Sequence, residues 1–319
     1  MTLLITEEDC RNLLSVKASI PVIEDMFRMA GAGDAENPPR LRMPTRKGKG
    51  IQFGPAALHA RKLMGFKIRT DVGTPLKPRW DFLYSMETGE LLAIIQAALL
   101  SRLRTAAASA VAVKYLSPSS ASVLGMYGAG RQAQAQLDAI CAVRPILKAY
   151  VYSRTADKRD AFCRNASERL GIEVIAAQAP EEVPRAADIL LTITTSATPV
   201  LLGKWITRPC LVVGVGSNHE FEREVDEELV TMANLIVVDD KAVAKVESGD
   251  LLWPISHGML RWDQVKNLGD IVAGSVPVPD FSSGIFFFKS NGVAMEDVAI
   301  AARAYELARV QGIGTEISL

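Results

Sequence analysis

The apolar run VLGMY at 123–127 leads directly into Gly128-Ala129-Gly130-Arg131-Gln132-Ala133, a GxGxxA arrangement that opens a helical pattern. Glycines in such a turn let backbone N–H groups approach a pyrophosphate at a helix N-terminus, and a small sixth residue lets helix and strand pack closely. In a strand–turn–helix context the arrangement points to a dinucleotide. The second strand of such a unit normally ends in an acid that binds the ribose 2′-hydroxyl. Here it ends Tyr152-Ser153-Arg154-Thr155, and no acid occurs between Asp138 and Asp157. Arg154, with Ser153, Thr155 and Lys158, suits a 2′-phosphate instead, which favours NADPH. The alternative is NAD, with Arg154 stacked on adenine.

A second chemical signal lies upstream. Between Pro38 and Trp80 stand eleven cations (Arg40, Arg42, Arg46, Lys47, Lys49, Arg61, Lys62, Lys67, Arg69, Lys77 and Arg79) against one acid, Asp71. Lysines protecting a sheet edge explain many of these. They do not explain Lys67 and Arg69, which interrupt the apolar run LMGFKIRTDV and share one face of a strand, opposite Phe66 and Ile68. Arg104 is as unexpected, between Leu103 and a run of alanines in a helical segment. A hydrogen bond between such a cation and a carboxylate contributes roughly 1.5–3 kcal/mol, so two or three of them hold a small acid firmly. Nucleic acid is a poor match for this block, because its only aromatics are Phe53 and Phe66 and no RNP-like run occurs.

The elements that position these residues fall into two rhythms. Residues 6–33 read as helices, with a capping box at Thr6–Asp9 and a glycine stop at MAGAG. Short β-like runs fill 49–95, with a hairpin expected at Thr88-Gly89, and an Ala-rich helix covers 97–116. After the linker LSPSSAS come SVLGMYG, KAYVYSR, IEVIAA, DILLTIT, CLVVGVG and LIVVDD, mostly separated by helical segments. Continuous apolar strands alternating with helices argue for a parallel sheet covered on both faces. Residues 250–284 read as loop-rich, and a last helix spans roughly 293–311.

With 319 residues, 36 Lys plus Arg and 36 Asp plus Glu, the chain suits about two domains and carries no net field toward DNA or an anionic membrane. Neither a signal peptide nor a membrane span is evident, which suggests a cytoplasmic protein. Four cysteines (10, 141, 163, 210) and three histidines (59, 219, 257) have no metal-ligand spacing, so no metal is expected.

GFKIRTDV (65–72), ETGELLAIIQAALLSRLRTAAASAVAVKYL (87–116), YGAGRQAQAQL (127–137), TITTSATPVL (192–201), VGVGSNHEFEREVD (213–226) and FFKSNGVAMEDVA (287–299) together resemble the ornithine cyclodeaminase/mu-crystallin family. The resemblance implies an α/β fold. It comprises a Rossmann-type doubly wound parallel sheet (119–289) and an N-terminal α/β substrate-binding and dimerisation domain (1–118) completed by the C-terminal helix (290–319). It also implies a homodimer. In the family, an Arg, a strand Lys and the Arg of LRT hold the substrate α-carboxylate; these fall on Arg40, Lys67 and Arg104, with Arg42 an alternative for the first. Thr194, Thr195 and Gly216 would line the cofactor crevice, and Lys289-Ser290-Asn291-Gly292 would lie near the nicotinamide.

Two departures bear on the reaction. The family's cyclodeaminases carry an Asp and a Glu where this chain has Asn218 and Gln52. An amide is neither a general base at neutral pH nor a good partner for a distal ammonium. The expected reaction is therefore NAD(P)H-dependent reduction of a small 2-imino acid, such as iminosuccinate or pyrroline-2-carboxylate. Lys67 or a bound water is the candidate proton donor, with His219 beside Asn218 as a helper; the sequence contains no dedicated acid. A cyclodeaminase recycling its NAD, or a mu-crystallin-like NADPH-dependent ligand carrier, is the alternative.

Overall fold

The computed structural model describes residues 1–46, 50–70 and 79–318; Lys47, Lys49, Asp71 and Lys77 of the basic block lie outside the described residues. The chain divides into two compact units, Met1–Ala108 with Val293–Leu319, and Ser109–Gly292.

The first unit opens with β1 (Thr2–Ile5), α1 (Glu7–Leu13) and α2 (Val16–Gly31). The capping box forms as read: the Thr6 hydroxyl accepts from Asp9 N while the Asp9 carboxylate accepts from Thr6 N. Helix α2 buries Ile20, Ile23, Met26 and Phe27, the one-sided stripe of an amphipathic helix. Strands β2 (Ala35–Glu36), β3 (Leu41–Pro44), β4 (Gly50–Leu58), β5 (Leu63–Thr70), β6 (Arg79–Ser85) and β7 (Leu91–Gln96) follow, and then α3 (Ala98–Leu116) begins. The turn between β6 and β7 falls at Thr88-Gly89, where Gly89 takes φ +71°.

The second unit runs β8 (Val123–Tyr127), α4 (Ala133–Val143), β9 (Lys148–Tyr152), α5 (Ala156–Leu170), β10 (Glu173–Ala176), β11 (Ile189–Thr192) and β12 (Cys210–Gly214). It continues with α6 (Glu227–Met232), β13 (Ala233–Val238), α7 (Lys241–Glu247), α8 (Gly249–Ser256), β14 (Val265–Asn267), α9 (Leu268–Val272) and β15 (Ile285–Lys289). The stretch read as loop-rich thus contains two helices and a strand; its prolines sit at helix and loop positions that leave the strand's hydrogen bonds intact. The chain returns to the first unit as α10 (Ala294–Gln311) and β16 (Thr315–Ile317).

The first sheet has the order β16-β1-β7-β6-β5-β4-β2, with β3 also on β4. Its strands alternate: Asp81 and Leu83 of β6, and Ala93 and Ile95 of β7, are buried, while their neighbours are half-exposed. The second sheet, β10-β9-β8-β11-β12-β15-β13-β14, is parallel throughout, and β8, β11, β12 and β15 read as apolar runs because both faces are covered. Its order reverses between β8 and β11, the place where an open α/β sheet binds ligands at strand C-termini. No described helix is long and apolar enough to cross a membrane. All four cysteines are free; Cys10, Cys163 and Cys210 are buried, as expected of small hydrophobes, and Cys141 is half-buried, and burial pushes the thiols up to about 12 (Cys10, Cys210) or about 11 (Cys141, Cys163).

Candidate active site

In the first unit, Lys67 of β5 stands directly across from Gly54 of β4 on one side and Asp81 of β6 on the other. Directly opposed residues of antiparallel strands project to the same face, and α10 packs on that face. Lys67 Nζ donates to Asp297 Oδ1 at 2.6 Å and to Ser101 Oγ at 2.5 Å. Ser101 spends its own proton on Ala97 O at 2.7 Å, so it can only accept from the lysine. Three residues along α3, Arg104 pairs with Glu296 Oε2 at 2.6 Å and, through Nε, with Asp297 Oδ1 at 3.0 Å. One oxygen of Asp297 therefore braces both cations.

These groups are almost fully buried, with Glu296 at 0%, Asp81 at 3%, Asp297 at 4% and Arg104 at 9% exposure. Burial lowers the proton affinity of Lys67, against the opposing pull of Asp297 and Asp81. Burial would raise Asp297, but the charges of Arg104, Lys67 and Arg40 outweigh it and hold that carboxyl below its ordinary value. Asp81 differs: neither of its oxygens has a hydrogen-bond donor among the described residues. Burial, with repulsion from Asp297, pushes it up to about 8 against the charges of Lys67, Arg104 and Arg79.

The two arginine candidates separate by row. The Arg40 Cβ lies 3.7 Å from where a Cβ on Gly54 would sit, which places Arg40 beside the Lys67 row. Arg42 faces Gln52, which faces Arg69, which faces Arg79, forming the adjacent row on the same face. The sequence reading singled out Arg40, Arg42, Lys67 and Arg104 and did not single out Ser101, Asp81, Glu296 or Asp297, which the structure places around Lys67 and Arg104. The adjacent acids of α10, in an otherwise Ala- and Val-rich helix, were the available signal.

In the second unit, β8 delivers the glycine turn. Gly128 takes φ +114°, and a Cβ there would stand 2.5 Å from Ile193 O, so only glycine fits. A Cβ on Gly130 would meet nothing within 4 Å. Ala129 is half-buried, Arg131 is exposed, Gln132 is half-buried and Ala133 is buried at the start of α4. That helix has no side-chain cap and no acid in its first turn, so its N-terminal N–H groups suit an anion. At the end of β9, Ser153 is half-buried while Arg154, Thr155 and Lys158 are exposed around the side-chain-uncapped start of α5. These features fit a dinucleotide.

The remaining cofactor candidates are tied to buried acids. Glu224 accepts from Thr192 Oγ1 (3.0 Å), Thr194 N (2.6 Å), Thr194 Oγ1 (2.7 Å) and Gly216 N (2.6 Å). A Cβ on Gly216 would come within 2.3 Å of Glu224 Oε1, which explains the glycine. Asp250 accepts from Glu224 N and Val225 N and pairs with Lys289, whose Nζ also donates to Ser217 O. Asp239 accepts from Asn291 N, Gly292 N and Ser290 Oγ, so Ser290 and Asn291 are buried. Thr195 is exposed, and Asn218 and His219 are half-buried on the loop after β12.

A parallel α/β sheet with a glycine turn after β8, in one chain with a unit that buries several cations, defines a two-unit protein of Rossmann type. The ornithine cyclodeaminase/mu-crystallin family model matches residues 1–312, and the chain belongs to that family. It is 32% identical to an alanine dehydrogenase of Archaeoglobus fulgidus, over 99% of this chain and 98% of that protein. Among solved structures, it is similar to the Thermococcus litoralis Δ1-pyrroline-2-carboxylate reductase in complex with NADH and L-proline (TM-score 0.93, 34% identity, 99% and 100% coverage). It is also similar to the Paracoccus denitrificans iminosuccinate reductase in complex with NAD+ (TM-score 0.94, 28% identity, 100% and 99% coverage).

Proposed function

We propose that this protein reduces a small 2-imino acid to the amino acid with a nicotinamide dinucleotide, the first unit holding substrate and the second the cofactor. The observation that carries this reading is the single Asp297 oxygen that braces both Lys67 and Arg104. Two cations fixed on one acid present a preset positive surface to a carboxylate, so little is lost in ordering them when substrate binds. Arg40, Lys67 and Arg104 hold the α-carboxylate. When bound, NAD(P)H supplies a hydride to the imine carbon. Lys67 gives the nitrogen its proton. The row Arg42–Gln52–Arg69–Arg79 adds cations for a second carboxylate, which favours iminosuccinate over pyrroline-2-carboxylate. Gln52 and Asn218 carry no charge for a distal ammonium, which disfavours cyclodeamination. The relatives named as reductases support the same chemistry.

The finer cofactor choice is NADPH, supported by Arg154 and Lys158 at the uncapped start of α5 and by the lack of an acid at the end of β9. Arg154→Ala is expected to lower discrimination for NADPH over NADH by about tenfold or more, the worth of one charge-assisted hydrogen bond. A homodimer is supported by the sheet face opposite α10. There Phe53, Phe82 and Tyr84 surround Phe66, with ring centroids 4.9, 4.7 and 6.1 Å from its own. That face also carries an open cavity of about 350 Å³ lined by Pro38, Pro55, Met64 and Tyr84.

The experiment is loss of nicotinamide absorbance with NADH and NADPH separately. The substrates are pyrroline-2-carboxylate, and oxaloacetate, pyruvate or glyoxylate with ammonia. Turnover with at least one is expected; silence across the panel with cofactor bound would overturn the reading.

A further inference from the structure

We propose that Asp81 is the proton store of this site: it holds a proton at neutral pH, across the strand pair from Lys67, and passes it through Lys67 to the nitrogen of the imine being reduced. The inference rests on the imine-reductase reading and adds a residue to it.

The first support is position. Asp81 and Lys67 are direct cross-strand partners on the α10 face, and such partners have Cα atoms about 4.5–5.5 Å apart, so their side chains rise side by side on that face. A lysine ammonium has three N–H donors. Ser101 and Asp297 take two, which leaves a third, and the charge of Lys67 acts on Asp81 across the strand pair.

The second support is the lack of donors. Asp81 is 3% exposed, with no hydrogen bond to either oxygen among the described residues. A carboxylate ionised in such a place has lost water and gained little in exchange, whereas a neutral carboxyl there costs far less. Glu224 and Asp239, buried as deeply, accept several N–H or O–H donors each.

Facing Asp81 are Lys67 from β5, Arg104 from α3, Asp297 from α10 and Arg79 from its own strand, and the Cys10 thiol of α1 also feels its charge.

The step balances. The C=N π bond is lost; a C–H bond forms from the hydride, whose donor is oxidised by two electrons, and an N–H bond forms from the Lys67 proton. Asp81 then returns its proton to Lys67, leaving a carboxylate–ammonium pair, and takes a proton from water as product leaves.

The test is an infrared difference spectrum of the NAD(P)H-loaded protein, wild type minus Asp81→Asn. The expected result is a carboxylic-acid C=O band at neutral pH that vanishes near pH 8; its absence would overturn the store. The kinetic arm is kcat against pH for the best imine. Asp81→Asn is expected to lower kcat about tenfold or more, with KM changed less than threefold, and to remove the alkaline limb near pH 8. Unchanged kcat and pH profile would overturn the relay. A band without turnover on any imine would overturn the reductase reading instead and leave the protonated Asp81 standing.

Discussion

Each unit contains a buried cluster of charges, and the two are built to different rules. In the second unit every carboxylate oxygen of the Glu224–Asp250 cluster has a donor or a directly paired cation. Both oxygens of Glu224 accept two donors each, one oxygen of Asp250 takes two backbone N–H groups, and its other oxygen faces Lys289 at 2.9 Å. Lys289 itself is 0% exposed. In the first unit Lys67, Arg104, Glu296 and Asp297 are paired, but Asp81 has no hydrogen-bond donor among the described residues. A saturated network fixes loops, because every member would lose a partner if it moved. A cluster with an unsatisfied acid beside an ammonium retains proton affinity that a substrate can exploit.

The largest effect in this comparison belongs to the saturated side. Glu224→Gln replaces one accepting oxygen with an N–H₂ group facing donors such as Gly216 N. Breaking a buried charged network of this kind costs about 3–5 kcal/mol, so denaturant unfolding should show a midpoint shift of that size. On the other side, Arg104→Met removes a carboxylate anchor and leaves Glu296 without its guanidinium. Steady-state kinetics should show kcat/KM lowered roughly tenfold to a hundredfold through KM, with the cofactor Kd unchanged.

A further effect is a pH slope. Asp81 has its proton affinity raised on folding, from an ordinary 3.8 to about 8. Between those values the folded chain keeps a proton that the unfolded chain has lost. The Asp81 contribution is therefore fully present below about pH 4 and declines as pH rises to about 8. In Asp81→Asn that decline is absent, so its Tm relative to wild type should increase from pH 5 to pH 8. A constant difference would mean that Asp81 ionises normally.

Local physics was legible in the sequence and long-range pairing was not. The GxGxxA turn, the apolar strands of the parallel sheet, the Thr6 capping box and the Thr88-Gly89 hairpin all depend on neighbours within a few residues, and all are present in the fold. Lys67 and Arg104 stood out because a cation in an apolar run needs a partner. Their partners lie 230 and 192 residues away, on α10. Asp81 was unremarked because its meaning depends on strand register: one residue of slip would move it to the aromatic face. Strand β1 escaped notice for a similar reason, since TLLI is too short to announce a parallel partner as distant as β7.

The most direct measurement sets Lys67→Met beside wild type and reads two quantities, NADH binding by fluorescence and kcat/KM for the best imine. The expected result is an unchanged cofactor Kd with kcat/KM lowered by about a hundredfold or more, as removal of a proton donor entails. Activity within threefold of wild type would contradict the assignment of chemistry to the Lys67 cluster.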